Sequence, residues 1–137
     1  MSSLPAIAIL NNNEDTVEML RMCLQQRGFT ALVTGHVPDV KRGSLDIVQF
    51  VETHDPRVFV WDIALPYDEN WRFVRMLMGH EAIQGRRFVL TTTNKRALDA
   101  LVGPTDVIEI IGKPYDLDLV VSAVRAAVGL PPETEGE

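Results

Sequence analysis

The sequence predicts a doubly wound α/β domain, a five-stranded parallel sheet with helices packed on both faces. Three observations carry this. Runs such as Ala6-Ile7-Ala8-Ile9-Leu10 and Val58-Phe59-Val60-Trp61 are apolar at every position, the pattern of strands covered on both sides. Segments with apolar residues at helical spacing separate these runs, as crossover connections between parallel strands require. Polar residues follow the apolar runs on one side: Asn11-Asn12-Asn13, Asp62 and Thr91-Thr92-Thr93. In an open parallel sheet that side is the carboxyl edge, where ligands and chemistry are placed.

Residues 6–10 read as the first strand. The three asparagines break it and cap a helix, with Glu14 and Asp15 in the first turn, where the helix dipole favours acids. Val17, Leu20 and Leu24 then repeat at helical spacing, and Gly28 ends the helix. Residues 30–33 read as the second strand, and residues 35–44, polar and rich in turn formers, as a loop. Leu45, Val48 and Val51 mark a second helix, ended before Pro56. The third strand runs to Asp62, and a loop to Asn70 leads into a helix with Trp71, Val74 and Leu77 on one face. Residues 88–90 form the fourth strand; Ala97, Leu98 and Leu101 mark a short fourth helix, stopped by Gly103-Pro104. Residues 107–111 are the fifth strand, and Leu117, Val120, Val121, Val124 and Val128 the apolar stripe of the last helix. Residues 131–137 are polar with nothing to pack and are expected to be a disordered tail. Five strands alternating with five helices give a flavodoxin-like (βα)5 three-layer sandwich of strand order 2-1-3-4-5, one domain over residues 1–130. In that order the first and third strands flank the switch point, so Asn11, Asn12 and Asp62 meet there.

Composition narrows the function classes. With 137 residues, 46% hydrophobic and 23% charged, the chain can bury the core of one globular domain. A net charge of −6 opposes nonspecific binding to nucleic acid, and Lys41-Arg42 and Arg86-Arg87, too short to reverse it, read as solvated loop charges. No apolar run approaches the roughly 20 residues that span a bilayer. Met1-Ser2-Ser3-Leu4-Pro5 lacks the basic region and apolar core of a signal peptide, so the cytoplasm is the expected compartment. Cys23 is the sole cysteine and, among Leu20, Met22 and Leu24, reads as a buried structural thiol. Trp61 and Trp71 read as core. His36, His54 and His80 fall in loops or at element ends without ligand spacing. A small hydrolase or nucleotide-binding enzyme would need a base and nucleophile or a phosphate loop, and the sequence carries neither; it reads as a non-enzyme.

Strand-Asp62-x-x-Leu65-Pro66, a threonine run after the fourth strand and Lys113-Pro114 after the fifth resemble the receiver domains of response regulators in two-component signalling, which are CheY-like. The resemblance spans residues 6–130. It implies that Asp62 is a phosphoacceptor, that Thr91 or Thr92 and Lys113 bind phosphoryl oxygens, and that Pro114 follows a cis peptide. Thr91 suits the spacing to Lys113 and Thr92 the spacing to Asp62, so both stay candidates, with Thr91 preferred. It further implies Mg²⁺ held by Asp62, the Ala64 carbonyl and an acidic pair after the first strand, a histidine kinase or phosphotransfer protein as donor, and a downstream protein on the face of the fourth helix, fifth strand and last helix. The whole would be a stand-alone phosphorelay component making no direct contact with nucleic acid or membrane.

Three departures from the family pattern bear on mechanism. Asn11 and Asn12 replace the acidic pair; carboxamides bring no charge, so Mg²⁺ binding is expected to be weak or absent unless Glu14 or Asp15 reaches in. Ile110 stands where the family has the aromatic residue that rotates on activation. The stretch 35–44 lengthens the connection to Asp62, and Asn70 takes a usual glycine position, where asparagine tolerates left-handed backbone. These departures leave an alternative open, a phosphorylation-independent pseudo-receiver that acts as an adaptor.

Overall fold

The computed structural model describes residues 5–105, 108–112 and 116–131. Its sheet is parallel throughout, in the order β2-β1-β3-β4-β5, built from β1 (Ala6–Asn11), β2 (Leu32–His36), β3 (Pro56–Ile63), β4 (Arg87–Thr92) and β5 (Ile108–Gly112). Helices α1 (Glu14–Gln26) and α6 (Leu117–Ala127) cover one face. On the other lie α2 (Val37–Arg42), α3 (Ile47–His54), α4 (Tyr67–Met78) and α5 (Lys95–Val102).

The all-apolar strands make two core layers, because successive side chains point to opposite faces. Along β3, Phe59, Trp61 and Ile63 enter the layer under α2–α5, while Val58 and Val60 enter the layer under α1 and α6. Asp62 continues the second alternation and so lies on the α1 side, one residue before the end of the strand and 3% exposed. Trp61 and Trp71 are both buried, as expected, and Cys23 is half-buried against the α1–α6 layer.

The sequence reading needs correction between β2 and α4. The second strand starts at Leu32 and runs to His36, rather than spanning residues 30–33. It is an edge strand paired only with β1, from Ile7 opposite Leu32 to Asn11 opposite His36, and so carries Thr34, Gly35 and His36 without an apolar signature. Gly35 is packed so closely that an added Cβ would stand 3.0 Å from Leu45 Cδ1 and 3.1 Å from Leu10 Cδ2. The expected loop 35–44 contains a sixth helix, α2. Pro38 sits in its first turn, where a missing N–H costs nothing, Asp39 follows, and Lys41 and Arg42 close the last turn. Gly43, at φ 83°, ends it in the left-handed conformation. Lys41 and Arg42 are therefore helical rather than loop charges.

The loop after β3 is also shorter than expected. Helix α4 begins at Tyr67, with Asp68 and Glu69 in its first turn, so Asn70 is helical rather than left-handed. Arg86 is no solvated charge either: it bonds Asp55 Oδ1 at 2.8 Å, the Pro56 carbonyl at 2.6 Å and the Ala82 carbonyl at 3.1 Å, clamping the start of β3. Lys113, Pro114 and residues 132–137 lie outside the described residues, as does Val107 of the expected fifth strand. Among the described residues the Leu65–Pro66 peptide is cis, and no helix is long and apolar enough to cross a membrane.

Candidate functional site

Parallel pairing aligns the carboxyl ends of β1, β3 and β4, and the site is what those ends present. Asp62 is in register with Thr91, and Ile63 with Thr92. The Thr91 hydroxyl donates to Asp62 Oδ1 at 3.0 Å, with both residues buried. Thr92 instead accepts from the Asn94 amide at 3.3 Å, at the entry to α5. Thr93 meets the Tyr67 hydroxyl at 2.5 Å, joining the loop after β4 to the first turn of α4. Of the three threonines, then, the geometry brings Thr91 to the carboxylate.

The asparagines at the end of β1 take separate roles. Asn11, 2% exposed, turns its Oδ1 back onto the amides of Asn12 at 2.8 Å and Asn13 at 3.0 Å. Asn13 caps α1 by accepting from the Thr16 amide at 2.9 Å. Asn12 is exposed and points its amide nitrogen at Asp62, 2.8 Å from Oδ2. Both carboxylate oxygens thus accept from neutral donors, Oδ1 from a hydroxyl and Oδ2 from a carboxamide. Buried charge needs such donors.

These residues do not fit a divalent cation. A hard cation in this position wants several oxygens, most of them anionic. Here Asn11 Oδ1 is committed to backbone amides, Asn12 presents nitrogen to Asp62, and the Ala64 carbonyl already accepts from Asn70 Nδ2 at 2.8 Å. Glu14 lies along a separate cleft of about 250 Å³ beside His36 and Asp39, and Asp15 along another between α1 and Leu117. Among the described residues no group of three or more histidines, cysteines or acids is placed to hold a metal. Among the described residues, Asp62 is the only carboxylate lining its own cleft.

That cleft, about 320 Å³, opens between Asp62 and α2. Lys41 and Arg42 line it from α2, Asn12 from the end of β1, and Asn70 and Phe73 from α4. Lys41 Nζ donates to Asn70 Oδ1 at 2.6 Å, so Asn70 bridges α2 to the Ala64 carbonyl. Sequence reasoning missed Tyr67 and read Lys41 as a solvated loop charge and Asn70 for its backbone, because their roles depend on helices α2 and α4 starting where they do. Ile110 is buried, 8% exposed, in the same apolar layer as Leu90 and Leu98.

The fold is that of response regulator receiver domains. Similar solved structures include a CheY-like receiver domain from Methylobacillus flagellatus, 19% identical over 91% of this chain and 99% of that one, with a TM-score of 0.64. The receiver domain of a signal transduction histidine kinase from Syntrophus aciditrophicus is 19% identical over 97% of this chain and 96% of that one, TM-score 0.69. A response regulator receiver protein from Burkholderia phymatum is 15% identical over 95% and 99%, TM-score 0.67. At these identities what is shared is the fold. No family model and no curated protein matches the sequence.

Proposed function

We infer that this chain is a cytoplasmic signalling module whose phosphoacceptor is Asp62 and whose output is a protein contact. The observation that carries this is the placement of Asp62: buried at the carboxyl end of the central strand β3, with the Thr91 hydroxyl on one oxygen and a cleft before it. The phosphoryl donor would be a phosphohistidine of a kinase or phosphotransfer protein. In the transfer, the donor's P–N bond breaks with its electron pair left on the donor nitrogen, and a new P–O bond forms at an Asp62 carboxylate oxygen. Thr91, and Lys113 by resemblance, would then bind phosphoryl oxygens. No turnover of its own is assigned to the chain.

A second reading, a phosphorylation-independent adaptor, is favoured by one specific feature. Asn12 and Thr91 each already donate to Asp62, one to each carboxylate oxygen, and a phosphoryl group must displace at least one of them. Incubation with phosphoramidate, followed by intact mass, separates the two. Gain of one phosphoryl group by the natural chain and none by Asp62→Asn, with unchanged circular dichroism, is the result expected. Phosphate retained by the Asp62→Asn variant would assign another acceptor, and no uptake by either chain would leave the adaptor.

A further inference from the structure

We propose that the cleft over Asp62 is a metal-independent anion site in which Lys41 supplies the positive charge that a divalent cation would otherwise bring. The inference rests on Asp62 as the phosphoacceptor and says how a dianionic group is tolerated there without a metal.

Charge balance within the cleft is the starting point. A phosphoryl group on Asp62 places about two negative charges beside the Asn12 carboxamide and the Thr91 hydroxyl, which bring no charge of their own. Of the two cations lining the cleft, Arg42 is paired with Asp39 on its own helix, so its charge is already offset. Lys41 has a neutral partner: among the described residues its ammonium donates to the carboxamide oxygen of Asn70. Its full charge therefore remains available to an anion in the cleft.

Position is fixed by two further contacts. Asn70 uses both ends of its amide, receiving Lys41 on Oδ1 at 2.6 Å and donating Nδ2 to the Ala64 carbonyl at 2.8 Å. The carbonyl that would have faced a metal is thereby turned into an anchor for the lysine. The helix carrying Lys41 is held in turn by Val37 and Val40, 5% and 6% exposed, packed into the core layer beside Trp61. The charge is thus tied to a packed element, as a preorganised electrostatic site requires.

The probe is beryllofluoride, which coordinates a carboxylate oxygen through beryllium and carries the charge and shape of a phosphoryl group. Bound ¹⁹F resonances are followed in excess EDTA and again in millimolar Mg²⁺, for the natural chain and for Lys41→Met, Lys41→Arg and Asp62→Asn. Binding in EDTA, little changed by Mg²⁺ and lost in Asp62→Asn, is expected. Lys41→Met should weaken it about tenfold or more, because one unit charge is removed from the anion's surroundings, and Lys41→Arg should largely restore it. Lys41 is exposed, so Lys41→Met should keep its circular dichroism and melting temperature. Binding that appears only with Mg²⁺ would overturn the metal-independent site while leaving Asp62 as acceptor. Equal binding by Lys41→Met and the natural chain would overturn the role of Lys41. Absence of binding with and without Mg²⁺ would overturn the acceptor reading and this inference together.

Discussion

Two of the neighbours that donate to Asp62, Asn12 and Thr91, carry no charge, and this bears on how the site responds to substitution. Asn12 is the informative neighbour, since its amide nitrogen lies 2.8 Å from Asp62 Oδ2. Asn12→Asp replaces that donor with a second carboxylate. Without metal the two acids repel, and stability should fall on the order of 1 kcal/mol, read by urea denaturation in EDTA. Millimolar Mg²⁺ should then raise the stability of the variant and leave the natural chain little changed, because the variant alone has two anionic ligands. A natural chain stabilised by Mg²⁺ as strongly as the variant would show that another acid reaches the site. Strand β3 and the place of Asp62 near its carboxyl end were legible at this scale because Asp62 follows an apolar run. Between Thr91 and Thr92 the sequence offered only a preference for Thr91, since the choice depends on which face of β4 points towards Asp62, a fact fixed by register. Asn70 misled for a similar reason: its value lies in a side chain that reaches two elements, whereas the sequence drew attention to its backbone.

Helix α2 shows what an element can hide. Its signals were present in the sequence, with Pro38 and Asp39 in the first turn, Lys41 and Arg42 in the last and Gly43 after them. They read as a loop because proline and two glycines in ten residues also describe turns, and because a six-residue helix is too short to display a periodic stripe. Only tertiary packing of Val37 and Val40 separates the two. The second strand was found at 30–33, but its continuation to His36 escaped for the opposite reason, since one free edge lets polar residues in. By contrast β1, β3 and β4 were legible from their apolar runs, which burial on both faces demands. The helical account of residues 37–42 makes Gly43 a required glycine: its φ is 83°, and no atom lies within 4 Å of where a Cβ would stand. Gly43→Ala should therefore cost about 1 kcal/mol through backbone conformation alone, measured by chemical denaturation. A neutral or stabilising Gly43→Ala would mean that the chain leaves α2 by another route.

Across the whole molecule, the sheet separates two apolar layers, and a signal at its carboxyl edge must cross one of them to reach the face formed by α5, β5 and α6. Ile110 sits in that path, buried with Leu90 and Leu98 in the layer under α5. A branched aliphatic side chain packed on both sides has no alternative position that changes the surface much. States that differ little in contact energy cannot be shifted far by a ligand. Hydrogen exchange with and without saturating beryllofluoride should therefore change near the cleft, in α2 and at the start of α4, and change little across α5 and α6. Strong protection changes throughout α5 and α6 would show that switching survives by another path, the Tyr67–Thr93 contact being the first to examine.

Asp62 as the residue that takes a phosphoryl group is open to a direct chemical trap. Borohydride reduces an aspartyl phosphate to homoserine, which peptide mass spectrometry locates to a single position. After phosphoramidate treatment of the natural chain, homoserine is expected at position 62 and nowhere else. Homoserine at another acid, or phosphoryl uptake that leaves position 62 as aspartate, would contradict the account.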